Sequence, residues 1–295
     1  MNFVAPALNG ENLIFVVGSP RSGTTWLQRL LASHPRVKTG QESRLFEYVG
    51  WQLRIWKQDL AQAGKSGRGG QGLPCYLTEP EFLAELKRHL GALLSAMVKD
   101  LAPGEFFLEK TPGHALWINE ILELLPQSRF VHLIRDPRDV TASMLAAARD
   151  WGSNWATRRA RKAARLWAQH VQAAREAGSR VPAGQFLELF YEDLFRAPEA
   201  TVEKVAGFLN LPWSPAEIAA AVKANSAAEL RKEKGTPIPL RGEQGKIAGT
   251  VHEPKNFVRK AHPGSWREDL TWLERLQVGW ELNRKMPDWK KYAKA

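Results

Sequence analysis

Two short segments of this chain gather residue types suited to holding an anion. The first is Gly18-Ser19-Pro20-Arg21-Ser22-Gly23-Thr24-Thr25. Its two glycines have the spacing of a P-loop, in which backbone N–H groups and a helix N-terminus cradle a phosphate. Thr24 stands where a nucleotide triphosphatase would carry its lysine, which argues against that class. What remains is an anion cradle with one cation, Arg21, and hydroxyls at Ser22, Thr24 and Thr25. The second segment is Arg135-Asp136-Pro137-Arg138-Asp139, with Ser143 eight residues beyond Arg135. An arginine at the carboxyl end of a strand lies where open α/β sheets bind ligands. A serine one helical segment later can face the same cleft.

Both segments need a strand before them and a helix after them. Leu13 to Val17 is a short apolar run ending at Gly18 and reads as a buried parallel strand. Thr24 then opens an amphipathic helix that His34-Pro35 stops. Further strands are expected at Phe106–Leu108, Phe130–Ile134 and Phe186–Phe190. Helices are expected over Arg44 to Ala61, Glu79 to Leu101, His114 to Leu125, Asp139 to Ala148, Trp155 to Glu176, Glu199 to Leu209 and Pro215 to Leu230. This alternation predicts one α/β domain over residues 1–295: a P-loop-like central parallel β-sheet flanked by helices on both faces. The glycine-rich stretch 64–74 reads as a mobile loop. Residues 231–266 lack periodicity and are rich in glycine, proline and lysine, which marks them as functional or irregular.

The segment Pro20-Arg21-Ser22-Gly23-Thr24-Thr25-Trp26 resembles the 5′-phosphosulfate loop of sulfotransferases that use 3′-phosphoadenosine-5′-phosphosulfate (PAPS). Arg135 to Ser143 is similar to that family's 3′-phosphate segment, eight-residue spacing included. Leu189-Phe190-Tyr191-Glu192-Asp193-Leu194 resembles a strand end common in the family. Arg259-Lys260-Ala261-His262-Pro263-Gly264-Ser265-Trp266-Arg267 resembles the segment that closes over the 3′-phosphate in cytosolic members, with Ala261 in place of a glycine. The resemblance covers roughly residues 12 to 283 and implies a sulfuryl transfer that leaves 3′-phosphoadenosine-5′-phosphate (PAP) and needs no metal. It implies that Arg21 holds the phosphosulfate bridge, while Ser22, Gly23, Thr24 and Thr25 bind the 5′-phosphate and Trp26 sits against the adenine. Arg135, Ser143, Tyr191, Arg259 and Lys260 complete the nucleotide site, the last two on a lid formed by residues 231–266.

The acceptor's proton needs a base, worth roughly 10²–10⁴-fold in rate. Glu42, in Gly40-Gln41-Glu42-Ser43-Arg44, resembles the catalytic glutamate of tyrosylprotein sulfotransferases in its distance from the loop arginine, and is the preferred candidate. His114 is the other, displaced by two residues from the place where cytosolic members carry a histidine. Lys110, in Glu109-Lys110-Thr111-Pro112, is expected as a second cation near the leaving group or the acceptor. Arg44 is a candidate for steering an acidic acceptor. The basic run Arg158, Arg159, Arg161, Lys162 and Arg165 reads as a solvated face or as a site for an anionic acceptor.

The 295 residues carry a formal charge of +11, which favours anionic partners without choosing among them. A Mg²⁺-dependent nucleotide kinase is the alternative enzyme class, with Asp136 its weak metal contender. A nucleic-acid-binding protein is the non-enzymatic alternative, but the basic residues cluster at turns after strands rather than along one stripe. A lone cysteine, Cys75, excludes an intrachain disulfide. Neither a signal-peptide pattern nor a run of membrane-spanning length is present, which reads as a cytoplasmic protein. Acceptor identity (tyrosine, carbohydrate, lipid or small alcohol, anionic ones included) and oligomeric state are not readable from the sequence.

Overall fold

Leu13, Phe15 and Val17 alternate with Ile14 and Val16, and all five side chains are buried, so the first strand is covered on both faces. The structure, a computed structural model, describes residues 9–63, 71–98, 101–152, 155–226, 228–229 and 262–294. The expected lid (231–266) therefore lies outside the described residues except for its last five, and so do residues 64–70 of the expected loop. Five strands, β1 (Leu13–Gly18), β2 (Val37–Thr39), β3 (Phe106–Glu109), β4 (Arg129–Ile134) and β5 (Phe186–Phe190), form one parallel sheet in the order β2-β3-β1-β4-β5.

Helices α1 (Thr24–Ala32), α7 (Tyr191–Arg196), α8 (Pro198–Leu209) and α9 (Pro215–Ala224) pack on the face presenting Ile14, Val16, Val131 and Leu133. Helices α2 (Leu45–Ala63), α3 (Glu79–Val98) and α4 (Ile118–Leu124) cover the opposite face, against Phe15, Phe107 and Phe130. Helix α6 (Ala160–Gly178) supplies Ala174 and Ala177 to the same face. A third apolar cluster joins α5 (Pro137–Asp150), α6 and the C-terminal helix α11 (Trp272–Lys285) around Trp167. Between them the short α10 spans Trp266–Asp269. The expected sheet flanked on both faces is the observed architecture.

Several boundaries differ from the sequence expectation. The helix expected from His114 is a 3₁₀ turn over Pro112–Leu116 followed by α4, because Pro112 sets the first turn and Trp117 breaks the run. Helix α6 begins at Ala160 rather than at Trp155, so Arg158 and Arg159 precede it. Helix α9 ends at Ala224, short of the expected Leu230, and α3 is described from Glu79 to Val98, residues 99 and 100 lying outside the described residues. Strand β2, three residues long, is too short for a period to register. Helix α11 was not expected, although Thr271 and Glu274 form a capping box at its start, with Glu274 N–H donating to Thr271 Oγ1 at 3.3 Å.

Candidate active site

Strand β1 sits at the centre of the sheet between β3 and β4, and the chain moves outward from it in both directions. At such a switch point the loops beyond the strand carboxyl ends part and leave a crevice. Arg21 follows β1, Lys110 follows β3 and Arg135 follows β4, so three neighbouring strands each carry a cation just beyond the same edge of the sheet. The crevice has a volume of about 1160 Å³; Arg21, Gly23, Thr24, Thr25, Trp26, Glu42, Arg135, Ser143 and Tyr191 line it.

The first loop is shaped for close approach. Ser22 N–H donates to Ser19 O at 3.1 Å, and Arg21 and Gly23 take positive φ values of 74° and 94°. A Cβ on Gly23 would lie 2.5 Å from the Tyr191 ring, so only glycine fits there. Helix α1 then starts without a side-chain cap and without an acidic residue in its first turn. Its N–H groups and dipole are thus left to an anion. Ser22 Oγ is buried with no partner. A buried hydroxyl in that state is costly unless a ligand satisfies it.

Tyr191 joins this loop to the second segment. Its ring touches Gly23, lies 5.7 Å from the Trp26 ring, and carries the Arg135 guanidinium 4.2 Å from its centroid. Arg135 is 7% exposed, its Nε has no hydrogen-bond partner, and the carboxylate of Asp139 stands 4.0 Å from its Nη2. These orphaned polar atoms fit a phosphate. Helix α5 brings Ser143 round to the β1 loop, where Arg21 Nε donates to Ser143 Oγ at 3.1 Å. The sequence had assigned those two residues to opposite ends of a nucleotide; the structure puts them in contact. Asp136, the weak metal contender, caps α5 by accepting from Arg138 N–H at 2.8 Å and is paired with the Arg138 guanidinium.

Glu42 is placed by a buried carboxylate that sequence reading passed over. Glu109 accepts from Ser43 N–H and Oγ (3.1 and 2.7 Å) and from Thr111 N–H and Oγ1 (3.0 and 2.7 Å). It therefore ties the loop after β2 to the end of β3. Burial alone would raise its pKa, but His114 and the Thr111 and Ser43 hydroxyls hold it down to about 2. The result sets Glu42 Oε1 2.5 Å from Lys110 Nζ, with Lys110 buried and Glu42 at the cleft surface. The two residues singled out separately are one ion pair.

His114 is fully buried, with Nδ1 2.8 Å from Glu109 Oε2 and Nε2 accepting from Phe46 N–H at 3.2 Å. Both nitrogens serve the scaffold. His170 also lines the cleft and was missed by sequence reading. Its Nδ1 stands 2.7 Å from Leu166 O, and burial lowers its pKa. Arg44, expected to steer an acidic acceptor, pairs instead with Glu47, its Nε 2.8 Å from Oε2. In the basic run, Arg161 and Arg165 are 3.2 and 2.8 Å from the buried Glu281 of α11, so part of that run binds helix to helix. Arg259 and Lys260 lie outside the described residues.

A model of the sulfotransferase family matches residues 13–215. A putative protein-tyrosine sulfotransferase from Caenorhabditis briggsae is 31% identical over 207 residues, covering 70% of this chain and 68% of that protein. Protein-tyrosine sulfotransferase 1 from Danio rerio is 28% identical over 215 residues, covering 69% of this chain and only 54% of that protein. The chain thus spans about half to two thirds of these relatives' length. Among solved structures, a mouse sulfotransferase complexed with PAP aligns with a TM-score of 0.59 at 18% identity, covering 96% of this chain and 90% of that one. The sulfotransferase domain of a Synechococcus olefin synthase aligns at 0.54 and 22%, covering 94% and 97%. Those two likenesses are of fold. With the family match extending over most of the described core and the anion-binding loops in their places, the chain belongs to the sulfotransferase family.

Proposed function

We propose that this protein transfers a sulfuryl group from PAPS to a hydroxyl or amine acceptor, with Glu42 as the base. The observation that carries this reading is the convergence of Arg21, Lys110 and Arg135 at three adjacent strand ends, with Glu42 paired to Lys110. In the transfer, the acceptor oxygen or nitrogen bonds to sulfur, the bond from sulfur to the bridging oxygen breaks, and PAP leaves with that electron pair. Glu42 receives the acceptor's proton. Arg21 and Lys110 offset the charge gathering on the bridging oxygen, as preorganised cations do in related group transfers. Ser22, the loop amides, Thr24 and Thr25 hold the 5′-phosphate, and Trp26 flanks the base. Arg135 and Ser143 hold the 3′-phosphate with Tyr191 wedged beside them; Arg259 and Lys260 belong with them by sequence resemblance. Residues 1–295 are assigned to one domain, with 231–266 as its lid and 64–74 as a loop. A cytoplasmic setting is part of the proposal; no described helix is long and apolar enough to cross a membrane.

Calorimetric titration with PAP, AMP and ATP–Mg²⁺ tests the donor. Tight binding of PAP that vanishes for AMP, together with transfer of labelled sulfate from PAPS, is the expected result. Preference for ATP–Mg²⁺ would return the kinase reading.

A further inference from the structure

Helix α11 is apolar on two faces, and the fold uses only one of them. Val278 and Leu282 turn inward and are buried in the cluster around Trp167. At 3.6 residues per turn, Trp272, Leu273, Leu276 and Trp280 fall within an arc of about 100° on the other side. They are 66%, 52%, 61% and 52% exposed. Single exposed apolar residues are ordinary, but four large ones side by side on one helix mark an interaction surface. None of the four lines the cleft, so the transfer chemistry does not account for them.

The border of this stripe is cationic. Helix α11 carries two carboxylates, and neither stands in the stripe. Glu281 is buried and shared by Arg161, Arg165 and Arg284, so three guanidiniums meet one carboxylate and the group keeps positive charge. Glu274 closes the capping box and stands 3.5 Å from Arg149. Trp280 lies beside two of the guanidiniums, with Arg161 4.0 Å and Arg284 5.4 Å from its ring centroid. Lys162 and Lys285, both exposed, extend the border on α6 and at the end of α11.

We propose that this face of α11 docks on an anionic lipid surface. Trp272, Leu273, Leu276 and Trp280 enter the headgroup layer, and the arginines beside them meet its negative charge. Tryptophan suits that layer because its ring is apolar while its N–H stays wet. An amphipathic helix bordered by Lys and Arg binds such a surface through buried apolar area and attraction to anionic lipids together. A second copy of this chain is the competing occupant. Two-fold pairing of the stripe would set the same guanidiniums against one another, and like charges oppose that contact. The proposal does not depend on the sulfuryl-transfer reading.

The test is co-sedimentation of the full chain with phosphatidylcholine vesicles, with and without phosphatidylserine, alongside sedimentation velocity in the absence of lipid. The parent is compared with Trp272→Ala and with Trp272→Ala/Leu276→Ala. Both side chains are more than half exposed, so the variants should fold, as circular dichroism and Tm will check. The parent should bind the phosphatidylserine vesicles, hold weakly to phosphatidylcholine alone, and release as salt is raised. The double variant should bind roughly tenfold more weakly or worse, with the single variant between. Equal binding by parent and double variant would mean that overall charge alone is at work and overturns the proposal. So does failure of the parent to bind phosphatidylserine vesicles. A parent dimer that the double substitution abolishes also overturns it, since a second copy would then cover the stripe.

Discussion

Glu42 and Glu109 are two carboxylates with opposite tasks, separated by their surroundings. Glu42 stands at the cleft with Lys110 against it, whereas Glu109 is buried among donors from Ser43, Thr111 and His114. Glu42→Gln should lower kcat by roughly 10²–10⁴-fold while PAP affinity stays near that of the parent, as a pre-steady-state assay paired with calorimetry will read. Glu109 contributes differently. Its folded pKa of about 2 lies below the reference value of 4.5. The stabilisation is therefore fully present above pH 4.5 and is lost as pH falls toward 2. By linkage it is worth about 3 kcal/mol. Glu109→Gln should flatten the acid limb of a stability-versus-pH curve over that range and lower Tm at neutral pH. An unchanged acid limb would show that the buried carboxylate is not held as described.

At the scale of elements, the contact between α5 and the segment after residue 261 couples the nucleotide site to the chain's C-terminal part. Asp139, buried in the first turn of α5, accepts from Gly264 N–H at 2.8 Å, Ser265 Oγ at 3.2 Å and Trp266 N–H at 2.9 Å. It also stands beside Arg135. The residues that precede this clip in sequence are those assigned to the 3′-phosphate, Arg259 and Lys260. Asp139→Asn keeps the shape but replaces an acceptor oxygen with a donor, so the clip should loosen. Hydrogen exchange at Gly264 and Trp266 should speed up and PAP affinity should fall about tenfold or more. Faster exchange with undiminished PAP affinity would separate the clip from nucleotide binding. A second junction lies between α6 and α11, where Arg161, Arg165 and Arg284 surround Glu281 and hold its pKa at about 2, Arg165 foremost. Glu281→Gln should lower Tm at neutral pH while leaving Tm near pH 2 little changed.

For the whole molecule, the parallel sheet decides which residues meet, because every strand points its carboxyl end to the same edge. Arg135→Ala removes the guanidinium with an unpartnered Nε at that edge. PAP affinity should drop about 10- to 100-fold, with a shallower salt dependence of binding. AMP, which lacks the 3′-phosphate, should show no comparable loss. Equal losses for PAP and AMP would place Arg135 away from the 3′-phosphate.

Strands β1, β3, β4 and β5 were legible because each is an apolar run bounded by turn residues, and two anion-binding segments were legible because their residue types serve no other common purpose together. Glu42, Arg21, Lys110 and Arg135 were therefore identifiable one at a time. Their pairing was not. That Lys110 holds Glu42 and that Arg21 reaches Ser143 follow from strand order and from the buried Glu109, none of which leaves a local pattern. The same holds for His114, which only burial could assign to the scaffold. Local sequence determined the chemistry available to this protein, since residue type and short spacing are local quantities. The tertiary structure decided which of those groups face one another, because distances across a sheet depend on contacts between residues far apart in the chain.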